Sequence, residues 1–464
     1  MSHDNPRQEQ EIKYSEGLEQ GLYEELLPEI QKLPTIEVAE ILMELSEEGF
    51  LEVFPLFTRE QQAQIFSDLG FDLQYLLFDH LDPWQFAGIF EEVLSEVRAD
   101  FFQEISREEQ IQLLPYLIKS VRKDVIELSK YPPETAGGIM STDFATVLES
   151  MSTTEAIAKV RSDAPSKKMV YYIYVVDNNM AMKGFITLKD LIMAEPHQKV
   201  GDILKSEFVY AGIEDDRETV AMQIEKYDLV AIPVLNQKNQ LVGIVTHDEA
   251  IEIMRAEHVE DMEQFMGLAK SDEEADYLDD PVKKHYSKRI IWLASLAVLS
   301  VFSGIIVQQY EDMLAQVLIL TLFMPMMTAT GGNTGSQAAT VVITALSVGQ
   351  ITLKNWLQII FKESRVGMLL GMSLGVLTYI NVLIIGSQSE APLDYTLFYV
   401  AMVVGIAMTI QVFSATLIGA CLPLFVKRLG GDPTVAASPA ITTFVDITGL
   451  IIYFGTATLF FTII

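Results

Sequence analysis

Asp446 is the residue in this 464-residue chain whose position calls most for a chemical explanation. It stands in a long apolar run, Ala437 to Ile464, and neither that run nor its four counterparts contains a Lys or Arg to neutralise it. A charged side chain at membrane depth costs several kcal/mol unless it faces a polar cavity or a partner. Oxygen donors accompany it. Ser438, Thr442 and Thr443 lie in the same run, and Thr442, four residues earlier, shares its helical face. A second run contributes Asn333 and the carbonyls of an expected chain break at Gly331-Gly332. The apolar runs hold no His and one Cys, Cys421, which disfavours Zn²⁺ or copper and favours a hard cation such as Mg²⁺ or Ca²⁺. Mg²⁺ dehydrates reluctantly, so one carboxylate with neutral oxygens suits a largely hydrated ion. A protonated structural Asp and a proton relay are the competing readings.

The elements that must carry these groups can be read from length. A hydrocarbon core of about 30 Å needs about 20 helical residues. Five spans are expected: Ile290 to Val307; Met313 to about Leu346, overlong and interrupted by Gly331 to Gln337; Val366 to Ile385; Leu397 to about Val426; and Ala437 to Ile464. Lys283, Lys284, Lys288 and Arg289 precede the first span, Lys354, Lys362 and Arg365 follow the second, and Lys427 and Arg428 follow the fourth. The other two loops carry Glu311 with Asp312 and Glu390 with Asp394. By the positive-inside rule the N-terminus is inside and the C-terminus outside. The chain is expected to be a multi-pass cell-membrane protein with large N-terminal domains in the cytoplasm.

Charge separates the same two parts. The net charge is −32, and residues 1 to 282 carry −34 of it against +2 for the remainder. So acidic a front part excludes nucleic acid as an ordinary partner and is suited to cations. A single Cys excludes an intramolecular disulfide framework. The opening MSHDNPRQEQEIKY lacks a basic segment followed by an apolar stretch, so no cleaved secretory signal is expected. Residues 1–15 read as a flexible tail. From 16 to 133, Thr58, Asp82 and Ser106 each precede a stretch with apolar residues at helical spacing, about 24 residues apart, which predicts an all-α superhelical domain.

An internal repeat follows Tyr131-Pro132-Pro133. Ile173, Val175, Gly184, Thr187 and Ile192 recur as Ile232, Val234, Gly243, Thr246 and Ile251, each 59 residues later. Each copy reads as strand, turn, strand, helix, and neither alone buries both faces, so the two should pack together. The pattern resembles a tandem pair of CBS domains, an α/β fold, over residues 137–256. In that family a Thr/Ser-x-x-Asp holds a nucleotide ribose. Thr187-Leu-Lys-Asp190 matches, whereas Thr246-His-Asp-Glu249 ends in Glu. The resemblance implies ATP as a regulatory ligand at Thr187 and Asp190; helix capping is the simpler role for the same residues. Residues 251–284 then form a connecting helix and linker, with Ile251, Met254, His258, Met262 and Met266 near helical spacing, leading into the membrane domain at 285–464.

GGNTGSQAAT at 331–340 and DPTVAASPAITTFVDITGLIIYF at 432–454 resemble signatures of the MgtE family of magnesium channels, as does the order of domains from about residue 16 onward. The resemblance implies a homodimer in which paired Asp446 side chains bind hydrated Mg²⁺, with Thr442 and Asn333 lining the path. It also implies a cytosolic Mg²⁺ sensor at Asp216, Glu218 and Asp228 of the CBS pair, and at Glu249, Glu257, Glu260 and Asp261 facing the connecting helix. The physical logic is that acidic faces repel until divalent ions bridge them, drawing the helix toward a closed gate. Ser336 and Ser438 stand where many relatives have Asn. A proton-coupled divalent-cation carrier is the alternative function. No enzyme activity is expected: a membrane aspartyl protease needs two facing carboxylates, and no P-loop motor is present.

Overall fold

The expected helix starts of the N-terminal region are capped by the residues the sequence offers. Thr58 accepts from the Gln61 amide at 3.3 Å while the Gln61 side chain accepts from the Thr58 amide at 3.1 Å. Ser106 and Glu109 form the same reciprocal box, and Asp82 accepts from Trp84 N at 2.9 Å. These caps satisfy amides that the first helical turn leaves without partners. The helices they start, Arg59–Asp68, Pro83–Phe90 and Arg107–Leu113, belong to a helical domain. Its core is aromatic: Phe66 meets Phe86 and Phe101 at centroid separations of 5.8 and 5.7 Å, in edge-on geometry. The apolar residues at helical spacing are therefore core. Pro6–Glu19 is a helix, and Tyr14 and Leu18 are buried, so residues 6–15 are not the flexible tail expected from sequence. The polar composition around them hid Tyr14 and Leu18, which anchor the helix.

The computed structural model describes residues 6–163, 169–269, 281–386, 395–435 and 438–462. Residues 1–5 of the expected tail, 270–280 of the linker and the Glu390 and Asp394 loop lie outside them. The chain divides into two units, Met1–Ala256 and Glu257–Ile464.

In the first unit the repeat forms two three-stranded sheets of like topology. β1 (Phe144–Leu148) runs parallel to β2 (Met169–Val176), which is antiparallel to β3 (Met182–Thr187). β4 (Ala211–Gly212), β5 (Ala231–Leu235) and β6 (Leu241–Thr246) repeat this arrangement. The tight turns match as well, since Met180 and Asn239, 59 residues apart, both adopt positive φ, 62° and 55°. Tyr174, Val176 and Met182 of one copy share a buried cluster with Ala231, Leu235, Leu241 and Ile244 of the other. The copies do pack together. β1 and β4 carried no sequence signal, because they are short and lie far from the hairpins they extend.

Among the described residues of the second unit, four helices are long and apolar enough to cross a membrane: Val282–Gln309, Leu353–Gly386 with its initial turn, Leu397–Arg428 and Ser438–Phe461. A further helix, Ile319–Ser347, has 29 residues, about 43 Å at 1.5 Å per residue. It is continuous through Gly331 to Gln337, which corrects the expected break. The interruption lies earlier, at Val317-Leu318, between this helix and the short Glu311–Gln316 helix. The glycines of the motif face neighbouring helices instead of turning the chain. Small residues also set the other major crossing. Gly367, Gly371 and Gly375, spaced by four, let Leu397–Arg428 approach Trp356–Gly386 so closely that Thr409 Oγ1 donates to the Gly371 carbonyl at 3.1 Å.

Candidate cation site

The glycine motif brings the Ile319–Ser347 helix against the face of Ser438–Thr462 that carries Thr442 and Asp446. A methyl group on Gly332 would stand 2.7 Å from Thr442 Cγ2 and 3.6 Å from Asp446 Oδ1. The two helices thus meet beside the carboxylate. Among the described residues, the half-buried Asp446 has its Oδ1 out of solvent with no hydrogen-bond partner. An oxygen in that condition is held at a cost unless something outside the protein chain satisfies it. Within the five long helices the only other acidic residue is Glu363, which stands between Lys362 and Arg365 at the basic end of its helix.

Hydroxyl groups extend the polar strip below Asp446. Thr442 Oγ1 donates to the Ser438 carbonyl at 3.0 Å, and Ser438 Oγ donates to Ser336 Oγ at 2.9 Å. Ser336 and Thr442 hydroxyls are 3.3 Å apart. A Thr whose proton is directed to a backbone carbonyl presents lone pairs elsewhere, which is what a cation or its hydration water needs. Thr443 donates to Pro439 O at 2.9 Å in the same way. Asn333 is exposed on the glycine helix, one residue beyond Gly332. The structure therefore gathers Asp446, Thr442, Ser336 and Ser438, and Gly332 in place of the expected open carbonyls.

The connecting helix, His247–Phe265, supplies the second acidic group. It does not run straight into the first span as expected. It ends in a turn in which Leu268 N donates to Glu263 O at 2.8 Å and Gly267 N to Gln264 O at 2.9 Å. Gly267 has φ +72°, and its missing side chain leaves room for the Trp292 indole. Of the residues at helical spacing, Ile251, Met262 and Met266 are 47, 70 and 54% exposed, while Met254 is partly buried against a core cluster. Phe265 is the side chain that docks, packed against Ala339, Ile343, Ala415, Ile441 and Val445.

Beside Phe265 a polar chain joins this helix to the loop after Arg428. Glu260 accepts from Gln264 Nε2 at 2.8 Å, and Gln264 Oε1 accepts from Thr434 Oγ1 at 3.1 Å. Thr434 is buried, and its amide donates to Asp432 at 2.8 Å. Burial, then the nearby charges of Asp432, Glu257 and Glu260, push the Asp261 carboxyl up to about 6 against a smaller opposing effect of His258. Asp432 was not anticipated from sequence, because only the folded chain brings it to Asp261. The remaining sensor candidates are placed singly: Asp216 caps the Arg217–Lys226 helix by accepting from Thr219 N at 3.2 Å, Glu218 lies in its first turn, Asp228 follows it at φ +49°, and Glu249 lies in the first turn of the connecting helix. Among the described residues, no three His, Cys, Asp or Glu side chains are close enough to share one ion.

Thr187 and Asp190 form a capping box, and Asp190 also binds Lys205 Nζ at 2.8 Å. Burial opposes ionisation of Asp190, but the bonds from Lys205 and Thr187 outweigh it and hold the carboxyl at about 2. A cavity of about 410 Å³ in the repeat region is lined by Tyr172, Tyr174, Phe185, Glu207, Phe208 and Tyr227 among others. The Tyr174 hydroxyl is buried there with no partner among the described residues.

Residues 324–456 match a family model described as a divalent cation transporter, MgtE; residues 33–134 match the MgtE intracellular N domain, and 136–197 and 200–256 match CBS domains. The magnesium transporter MgtE of Thermus thermophilus is 31% identical over 451 residues, covering 97% of this chain and 98% of that protein. That of Bacillus subtilis is 30% identical over 433 residues, 93% of each. Among solved structures, the cytosolic domain of the Mg²⁺ channel MgtE in complex with ATP is 30% identical, with a TM-score of 0.49, and covers 52% of this chain and 99% of that one.

Proposed function

The chain belongs to the MgtE family of divalent cation transporters, an integral membrane family, and on that premise we propose that it is a Mg²⁺-selective channel closed by cytosolic Mg²⁺. The observation that carries this reading is Asp446, a carboxylate on an apolar helix whose Oδ1 lacks a partner among the described residues and faces a crossing made of glycines. In the proposed assembly five helices cross the membrane, with the N-terminus inside and the C-terminus outside. Two chains pair so that both Asp446 side chains, with Thr442 and Asn333, line one path. A hydrated Mg²⁺ is held there by charge and by its water shell.

Gating follows from like charge. With Mg²⁺ scarce, the Asp261 and Asp432 carboxylates oppose docking of the connecting helix; Mg²⁺ between them removes the repulsion. Glu257 and Glu260 stand beside this pair, and Asp216, Glu218, Asp228 and Glu249 serve as further sensor acids. The decisive experiment is Mg²⁺ flux into vesicles of purified protein at a series of Mg²⁺ concentrations on the cytosolic side. Flux that is indifferent to that concentration would contradict the gating. Flux abolished by collapse of a pH gradient at fixed voltage would favour the proton-coupled carrier.

The raised Asp261 carboxyl adds a signed prediction. A carboxyl with a higher pKa when docked binds more protons in that state, so docking strengthens as pH falls through about 6 and the gain is complete below about 4. With no Mg²⁺ on the cytosolic side, Mg²⁺ flux should fall severalfold between pH 7 and pH 5.5. Asp261→Asn should carry low flux throughout that range with a flattened pH response. A wild-type pH response in this variant would remove Asp261 from the gate.

An adenine nucleotide is proposed as a regulatory ligand of the CBS pair. The aromatic cavity and the Tyr174 hydroxyl, unpartnered among the described residues, support a planar base there, while the box of Thr187 and Asp190 favours capping for those two residues. Titration of ATP into the full-length protein is the check, and no saturable binding at millimolar ATP would end the idea.

A further inference from the structure

Gln411 is the fully buried polar residue of the Leu397–Arg428 helix whose side chain reaches the helix of Asp446. Its relative exposure is 0%, and its Nε2 donates to the Val445 carbonyl at 3.1 Å. That orientation is set by chemistry, since Oε1 in the same place would meet a carbonyl oxygen. The bond is not needed to satisfy the carbonyl, which also accepts from Thr448 Oγ1 at 3.1 Å. Its effect is to tie one helix to another.

The amide sits where two glycines leave room. A methyl on Gly331 or on Gly449 would each stand 2.3 Å from Gln411 Nε2. One side chain therefore keys the glycine helix, the Gln411 helix and the Asp446 helix together at one point. Two neighbours of that point adjoin the cation site: Val445 precedes Asp446, and Gly331 precedes Gly332, whose missing methyl lies 3.6 Å from Asp446 Oδ1. A slide or rotation of the Ser438–Thr462 helix against Ile319–Ser347 moves the carboxylate directly.

Resting on the reading of Asp446 as the ion site, we propose that Gln411 is a positioning residue that fixes the height and rotation of that carboxylate through its amide, wedged between Gly331 and Gly449. A site that holds an ion through its water shell depends on oxygen placement to fractions of an ångström. Loss of the tie then weakens ion capture more than it lowers the amount of assembled channel.

The test is flux against Mg²⁺ concentration, with assembled protein quantified by size exclusion in detergent. Gln411→Met keeps side-chain volume and removes the bond. It should raise the half-saturating Mg²⁺ concentration about tenfold, with a smaller change in maximal flux per assembled channel. Gly449→Ala, which puts a methyl against Nε2, should raise it similarly, and the double variant should show less than the sum of the two effects. An unchanged half-saturating concentration in assembled Gln411→Met overturns the proposal. If that variant does not assemble, Gln411→Asn, whose amide is withdrawn by one methylene, is judged by the same criterion; failure of both to assemble assigns Gln411 to folding and equally overturns it. Asp446→Ala measured alongside separates the two readings: retained flux there removes the ion site itself, whereas lost flux with wild-type behaviour of Gln411→Met removes the positioning role alone.

Discussion

Asp446→Ala should abolish Mg²⁺ flux, by at least about a hundredfold, in protein that still assembles. At about 5 Å and an effective dielectric constant near 20, a carboxylate attracts a divalent ion by about 7 kcal/mol before dehydration is counted. No other acidic side chain in the long helices can substitute, since Glu363 lies at the basic end of its own helix. Asp446→Asn sharpens the measurement. It keeps the shape beside Gly332 and removes the charge, so equal loss in both variants assigns the effect to charge and not to packing. Flux in either at more than a tenth of the wild-type rate, measured with a Mg²⁺-sensitive dye in vesicles, would refute Asp446 as the ion site.

The largest effect on stability should come from enlarging Gly419, first by Gly419→Ala. A methyl there would stand 2.1 Å from the Gly335 carbonyl oxygen and 2.9 Å from its carbon, both main-chain atoms that no rotamer change can move. The Leu397–Arg428 helix must then back away from Ile319–Ser347 by about 1 Å, a displacement of the kind that costs 1–3 kcal/mol or more in a packed core. Gly419→Val should prevent assembly altogether. Gly304→Ala and Gly455→Ala, where a methyl would meet nothing within 4 Å, are the matched controls and should unfold at the wild-type temperature. Thermal unfolding followed by loss of the size-exclusion peak distinguishes them, and a wild-type profile for Gly419→Ala would show that this crossing tolerates expansion.

Much of this architecture was legible because its signals are local. A capping Thr or Ser is followed three residues later by Gln or Glu in the chain itself, and a 59-residue repeat needs no partner to be seen. The glycine motif was misread for a physical reason. A glycine that turns the backbone and a glycine that admits another helix look alike in sequence, and Gly331, Gly332 and Gly335 are of the second kind. Asp446 stood out because a lone carboxylate in an apolar run is costly wherever it folds. Asp432 and Gln411 did not, because what they do depends on Asp261 and Val445 lying beside them. The stripe of Ile251, Met262 and Met266 had the right period, yet periodicity states only that residues share a face and not that anything covers it.

The shallow seat of the connecting helix has a consequence for physiology. Among the contacts of its tip are the side-chain hydrogen bond between Gln264 and Thr434, a backbone bond from Ala269 N to Lys288 O at 3.3 Å and the partial burial of Phe265. Such contacts are worth about 1 kcal/mol for each bond and about 1–2 kcal/mol for the ring. A tenfold change in free ion concentration shifts a single binding equilibrium by about 1.4 kcal/mol. The two are of the same size. In the proposed gate, contacts of this size would let changes of about tenfold in free Mg²⁺ move the helix, where a deep and tightly packed seat would not respond.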